Sequence, residues 1–373
     1  MPSPNPGSAY NRLYSVAAIS PNDIWAVGDS ADGFGLGYDT LTMHWDGSSW
    51  SVVPSPSPPG PGQPHDTHLY DLTAISPNDI WAVGSYRVTE FGQYDPLILH
   101  WDGSSWFVVP APGVTEYRNT LHGVVAVSAN DIWAVGNYDT GTATETLIEH
   151  WNGSSWAVIP SPNVGIAFNA LSKVTALSPN DIWAVGSYYN SGGPLQTLIL
   201  HWNGSSWSVV PSLNPTPGEA SLQDITADPS GALWAVGDYY NSTSGMYESL
   251  VERWDGIGWT IMASPNPGSD GNHLYGVSAL TGTDVWAVGT RFVNSFRPST
   301  LTMRYSEQCG SPTPTPTPTP TPGCSLAYNI VPSANTDPRA NHFVMAVSAR
   351  ASNDIWAVGY YHALAEYNEH TLT

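Results

Sequence analysis

The sequence predicts an all-β protein built from about seven copies of one short unit, and three observations carry that reading. The 373 residues include 35 Gly and 33 Pro, which weaken or break helix interiors wherever they fall. The 17 Trp stand in register: seven open the phrase Trp-Ala-Val-Gly (Trp25, Trp81, Trp133, Trp183, Trp234, Trp286, Trp356), at spacings of 56, 52, 50, 51, 52 and 70 residues. The other ten form pairs five apart, Trp45/Trp50, Trp101/Trp106, Trp151/Trp156, Trp202/Trp207 and Trp254/Trp259. Charged residues make up only 11% of the chain, against about 25% in ordinary globular proteins. A 12% aromatic content supplies apolar surface to bury.

One unit, from Leu69 to Pro110, shows each element in order. An apolar stretch (LYDLTAIS) precedes a Ser-Pro-Asn-Asp turn; IWAVGSY follows, then a variable loop, PLILHW, Asp-Gly-Ser-Ser and WFVVP. Short runs rich in Val, Ile, Leu, Trp and Tyr, bounded by Pro, Gly, Asn or Asp, are strand signals. The pairs Asp46-Gly47, Asp102-Gly103, Asn152-Gly153, Asn203-Gly204 and Asp255-Gly256 favour a tight primed turn, so the third and fourth strands form a hairpin. Four short antiparallel strands per unit predict a β-propeller of about seven four-stranded blades, with the last blade incomplete.

The run IWAVGSY…LHWDGSSWFVVP resembles a kelch repeat, in which a strand ends in glycine and a Trp opens the fourth strand. It departs from kelch in having one Gly where that family has two, and Trp-Asp or Trp-Asn in place of Tyr-Asp. Asp-Gly-Ser-Ser-Trp also resembles the Asp-box of sialidase-like propellers, one residue short between Asp and Trp.

A Ser-Pro-(Thr-Pro) tract interrupts the sixth unit at residues 310–323, with Cys309 and Cys324 on either side. Two architectures fit. Residues 1–373 form a single propeller with the tract as an insertion between a third and a fourth strand; or residues 1–309 form six blades, 310–323 a linker and 324–373 the start of a second propeller. Alternating Thr-Pro is a semi-rigid spacer. The two cysteines are either a disulfide or two linker thiols, and no Cys/His spacing resembles a zinc site. At the ends, Met1-Pro2-Ser3-Pro4-Asn5 matches the tail of a fourth strand and Thr371-Leu372-Thr373 the start of a third, so an exposed edge strand is expected there.

Net charge is −21, with Lys173 the single lysine. Without a basic stripe the chain lacks the footprint of a nucleic-acid partner, and no apolar run of about 18 residues predicts membrane insertion. Residues 1–7 have neither the basic nor the apolar region of an export signal.

Repeated polar residues are weighed first as scaffold. Asp23, Asp79, Asp131, Asp181, Asp284 and Asp354, each two before a Trp, are expected to bond turn amides rather than to gather round calcium. His44, His100, His150 and His201 share one third-strand position, occupied by Arg253 and Arg304 in the next two units. They sit on separate blades, so packing or inter-blade hydrogen bonding is expected rather than a metal site. The paired tryptophans are read as core rather than as a sugar platform, and the glycine of Trp-Ala-Val-Gly as the point where the chain leaves the strand. No cofactor and no metal are expected.

The loops after Trp-Ala-Val-Gly and those leading into each first strand vary between units, and in a propeller they emerge on one face around the channel mouth. Five residues beyond the Trp stand Tyr86, Tyr138, Tyr188, Tyr239 and Tyr361, with Ser30 and Arg291 in the other two units. With Arg87 these tyrosines and Arg291 are the ligand-binding candidates; the competing reading is that the repeated Tyr packs at the blade rim. Glu90, Tyr94, Asp95, Asp139, Tyr189, Asp238, Tyr240, Arg297 and His362 are their loop neighbours.

The leading expectation is a non-catalytic extracellular or cell-surface binding propeller recognising a protein or carbohydrate ligand. The alternatives are a glycoside hydrolase or sialidase-like enzyme on the propeller mouth, and a purely structural spacer. The resemblance to kelch-like rings extends to copper oxidases with a Tyr crosslinked to Cys, but both cysteines here border the Thr-Pro run.

Overall fold

The computed structural model describes residues 2–33, 37–58, 66–89, 92–115, 117–215, 218–293, 297–309, 324–333, 340–362 and 368–373, and for 307–309, 324 and 325 the backbone alone. Glu90 and the tract 310–323 lie outside the described residues.

Among the described residues the elements are strands throughout, and the strands of each blade are counted there. The first blade holds β1 (Tyr10–Ser20), β2 (Asp23–Ala31), β3 (Asp39–Trp45) and β4 (Trp50–Val52). The second holds β5 (Thr67–Ser76), β6 (Asp79–Arg87), β7 (Tyr94–Trp101) and β8 (Trp106–Val108). The third is β9 (Asn119–Ser128), β10 (Asp131–Asp139), β11 (Thr144–Trp151) and β12 (Trp156–Val158); the fourth is β13 (Phe168–Ser178), β14 (Asp181–Tyr189), β15 (Gln196–Trp202) and β16 (Trp207–Val209). The fifth comprises β17 (Ala220–Ala227), β18 (Leu233–Asn241), β19 (Met246–Trp254) and β20 (Trp259–Ile261). The sixth comprises β21 (Gly271–Thr281), β22 (Asp284–Val293), β23 (Arg297–Cys309) and β24 (Cys324–Ile330). The seventh has three, β25 (Asn341–Ala351), β26 (Asp354–His362) and β27 (Glu369–Leu372).

Within each blade the strands pair antiparallel in chain order, as a β-propeller requires, and the first strands pack on one another around a central channel. The last blade is incomplete, as the repeat pattern predicts. The seventh blade meets the first: Glu369 N donates to Ala9 O at 2.8 Å, and Trp356 packs on Trp45 and Trp50 at ring separations of 5.4 and 6.0 Å. Thr371 N donates to Asn5 Oδ1 at 2.7 Å, the bond that Thr146 N makes to Asn163 Oδ1 at 2.8 Å inside the chain.

The core lies between blades. Trp81 of the second blade packs on Trp151 and Trp156 of the third at 5.1 and 5.8 Å, and Trp25, Trp133 and Trp183 each meet the next blade's pair in the same way. In the sixth blade Tyr305 and Tyr328 replace the pair and receive Trp234. Each such aromatic buries about 150–250 Å², so the tryptophans hold blade to blade.

The Trp-Ala-Val-Gly glycine does not mark an exit from the strand. β6 runs past Gly84 to Arg87, while β5 carries a bulge between Leu69 and Asp71 opposite it. A Cβ on Gly84 would lie 1.8 Å from His68 O, so the close approach of the bulged inner strand excludes any side chain. The Asp-Gly hairpins form as the sequence predicts: Gly47 takes φ 93°, and Asp46 Oδ1 accepts from Ser48 N and Ser49 N at 2.8 and 2.9 Å. The bond from the Ser48 hydroxyl, followed by those two backbone bonds, holds the Asp46 carboxyl down at about 2.

Candidate functional site

Each blade presents two ends. The β1–β2 and β3–β4 types of turn emerge on one face; the loops between second and third strands, and those between blades, emerge on the other. On this loop face the connections of neighbouring blades touch, through parallel bridges Tyr38 to Asp66 and Tyr94 to Arg118.

The turn face is occupied by scaffold. Asp79 Oδ1 accepts from Trp81 Nε1 at 2.9 Å and bonds His100 Nε2 at 2.8 Å, and the His100 ring stacks on Trp81 at 4.1 Å. Asp23 with His44, Asp131 with His150 and Asp181 with His201 repeat the arrangement. The expectation of turn-capping aspartates is corrected here, because the N–H of each buried indole needs an acceptor and takes the carboxylate. Ser76 Oγ bonds the turn amide of Asn78 instead. The histidine bonds are also within a blade, not between blades.

The sequence-predicted ligand residues do not converge. Tyr138 donates to Glu145 at 2.5 Å, Tyr188 to Gln196 at 2.8 Å and Tyr239 to Glu248 at 2.7 Å, each across its own sheet, with the ring against the inter-blade core. Tyr86 packs on the core between the first and second blades. Tyr361 lies 5.6 Å from the His342 ring and 5.1 Å from that of His370. Arg291 pairs in register with Asn272 and Ser299. The residue brought into a polar cluster is Arg87, whose Nε is 3.5 Å from Asp66 Oδ2. The strand register sets Cys309 opposite Cys324; their side chains lie outside the described residues.

That cluster is the candidate site. Along β5 the side chains alternate, so Leu69 enters the blade while His68 and Tyr70 face the channel. His68 Nδ1 bonds Asp29 Oδ2 of the preceding blade at 2.7 Å, and its Nε2 bonds Asp66 Oδ1 at 3.0 Å. Burial works against a charged imidazole, but the bonds to Asp29 and Asp66 outweigh it and hold His68 up at about 9. Asp66 also accepts from Tyr94 Oη at 2.6 Å. The bond from His68 leads in keeping the Asp66 carboxyl below its ordinary range, against burial. Burial and the bond to Asp66 push Tyr94 up to about 12. Asp29 is fully buried, and its Oδ1 has no hydrogen-bond partner among the described residues.

Aromatic rings enclose this knot. Tyr38 stands 4.9 Å from the His68 ring, Tyr70 lies parallel to it at 5.8 Å, and Tyr14 is 5.8 Å from Tyr70. Arg12, ion-paired with Glu369, covers the rings of Tyr10, Tyr38 and Tyr360 at 5.0 to 5.6 Å. Arg118 lies 4.7 Å over the Tyr94 ring and leads into a groove of about 860 Å³ lined by Gln93, Tyr117, Asp139, Thr142 and Thr144. That volume falls in the range of about 300–1,000 Å³ found for ligand clefts. Deeper in the channel Lys173 Nζ meets Asp71 Oδ1 at 2.5 Å, where Ser15 Oγ also donates at 2.6 Å, tying three blades together across the opening.

No known protein family matches the chain, and no curated protein matches its sequence. Solved structures do. The chain is similar to a polysaccharide lyase, ulvan lyase, at 10% identity over 99% of this chain and 94% of that one, with a TM-score of 0.56. It is also similar to the GH93 α-L-arabinofuranosidase of Fusarium graminearum bound to arabinobiose, at 12% identity, 80% and 96% coverage and TM-score 0.51. YCF48 bound to a D1 peptide shares 16% identity over 80% and 78%, with TM-score 0.46. At these identities the likeness is one of fold, and it identifies a β-propeller. The expectation of a non-catalytic binding propeller is corrected: of the three, the two propellers with TM-scores above 0.5 are a polysaccharide lyase and an α-L-arabinofuranosidase.

Proposed function

We propose that this protein is a carbohydrate-active enzyme that cleaves glycosidic bonds at the loop-face mouth of its channel. The observation that carries the reading is the knot of Asp66, His68, Asp29 and Tyr94 on the loop face, next to Arg118, which covers the Tyr94 ring and lines a groove of about 860 Å³. Tyr117 in the groove and Tyr38 and Tyr70 around the knot supply apolar faces for sugar rings and hydroxyls for their polar edges. Asp66, kept ionised by His68, would stabilise positive charge at an anomeric carbon; His68, with both nitrogens engaged, orients it. Tyr94, hydrogen-bonded to the same carboxylate, is the neighbouring proton-bearing group.

The test is a panel of polysaccharides, including arabinan and ulvan, scored for new reducing ends and for the ultraviolet absorbance of unsaturated ends. Product from any member supports the reading, and the two readouts separate hydrolysis from elimination. A panel from which the folded chain releases no product overturns it.

The kelch-like character of the repeats, the reading of residues 1–373 as a single ring and an extracellular setting belong to the same proposal. The contacts of Thr371 with Asn5 and of Trp356 with Trp45 support the single ring. The cross-strand register of Cys309 and Cys324 supports a disulfide at the base of the Thr-Pro insertion. Intact mass under oxidising conditions should lie two hydrogens below that of the reduced chain; two alkylatable thiols there would contradict the bond.

A further inference from the structure

The seven junctions between blades differ in the residues they offer to the channel mouth, and two of them carry the same four. At the first junction Asp29 and Tyr38 come from one blade and His68 and Tyr70 from the next. At the fifth, Asp238, Tyr247, His273 and Tyr275 occupy the repeat-equivalent positions. The other junctions break the set: the His position, for example, holds Thr120, Ala170, Ser221, Phe343 and Arg12.

The geometry is duplicated with the residues. His273 Nδ1 bonds Asp238 Oδ2 at 2.6 Å, against 2.7 Å for His68 and Asp29. Tyr247 stands 5.2 Å from the His273 ring and Tyr275 lies parallel to it at 6.3 Å and 8°, matching the 4.9 Å of Tyr38 and the 5.8 Å and 11° of Tyr70. Phe292 adds an edge at 5.5 Å, and Tyr247 Oη donates to Glu219 at 2.5 Å.

One difference separates the two. Where the first junction has Asp66 closing His68 Nε2, the fifth has Gly271, at φ 144°, with no side chain. A Cβ there would stand 3.5 Å from His273 Nε2, which has no hydrogen-bond partner among the described residues. The second copy therefore keeps the aromatic bracket and an open ring nitrogen but lacks the ionised carboxylate.

We propose that the junction of the fifth and sixth blades is a second carbohydrate subsite, which anchors a distant stretch of the glycan chain held at the first junction. The inference rests on reading the mouth as a carbohydrate site. In the ring the two junctions stand three blade steps apart, close to opposite sides of the mouth. The substrate class is therefore a polymer or long oligosaccharide that spans the mouth, with Tyr247 and Tyr275 as faces for sugar rings and His273 Nε2 as the partner of a hydroxyl.

The experiment uses the full chain with arabinan and arabinobiose, and with ulvan and its disaccharide, measured by calorimetry and affinity electrophoresis. The wild type should hold at least one polymer 10-fold or more tighter than the matching disaccharide. His273→Ala and, independently, Tyr247→Ala should each remove most of that length advantage while changing disaccharide affinity less than twofold. Melting curves establish that each variant is folded, and the second serves if the first is not. Equal losses for polymer and disaccharide, an unchanged ratio, or a wild type that holds no polymer more tightly than its disaccharide overturns the proposal. Product release is scored in the same samples. Polymers that are anchored while no member of the panel is cut overturn the proposed enzymatic function and leave the subsite; a polymer cut with the same KM by wild type and both variants overturns the subsite and leaves the function.

Discussion

His68 shows how single residues set this site. Both ring nitrogens face carboxylates, and Asp29 is fully buried, so removing the imidazole leaves a charge without its partner. Breaking such a buried pair costs about 3–5 kcal/mol. The pH dependence has a definite sign. The imidazole is held up at about 9 in the folded chain against an ordinary 6.5, so its stabilisation is complete below pH 6.5 and lost as the pH rises through 9. In urea titrations the stability advantage of wild type over His68→Gln should shrink by on the order of 3 kcal/mol between pH 6 and pH 10. A constant difference across that range would show that the imidazole is neutral.

At the scale of the element, most of the architecture was legible because it repeats. The Trp pair and the Asp-Gly or Asn-Gly turn recur at fixed places because the first five blades share the same stack and hairpin, and the Gly of Trp-Ala-Val-Gly recurs in all seven because each shares the same close strand approach. The site was illegible for the complementary reason. Tyr86, Tyr138, Tyr188 and Tyr239 attracted notice by recurring, and they recur because they pack between blades. The channel-facing position before the inner-strand leucine, or before Val344 in the seventh blade, reads Arg12, His68, Thr120, Ala170, Ser221, His273 and Phe343, and that variety on a regular strand was the signal available. The aspartates were half legible: their scaffold role holds, but the indole N–H that claims each one depends on a rotamer that sequence does not display. The glycine argument has its own test. Gly84→Ala places a methyl 1.8 Å from His68 O and should cost more than 3 kcal/mol, beyond the usual 1–3 kcal/mol of overpacking. Gly92→Ala, with open space around its Cβ and φ 85°, should cost about 1 kcal/mol. Equal losses in chemical denaturation would contradict the close approach.

The whole molecule separates two jobs by face. On the turn face, repeated Asp–His–Trp sets lock the blade ends; on the loop face, the junctions are individual and carry the proposed chemistry. Lys173, bonded to Asp71 across the channel, keeps the inner strands of different blades in fixed relation below the mouth. A net charge of −21 repels polyanions at long range, so an acidic glycan would have to be held by local contacts such as Arg118, while a neutral one meets no such barrier. This division of labour can be put to one measurement, the rate of product release from the most reactive polysaccharide by wild type, Asp66→Asn and Asp79→Asn. Both variants replace an aspartate bonded to a histidine, one on each face. The account predicts that Asp66→Asn loses about 100-fold or more in kcat, whereas Asp79→Asn keeps the wild-type rate at temperatures where it is folded. A folded Asp66→Asn chain that cuts as fast as the wild type would contradict it.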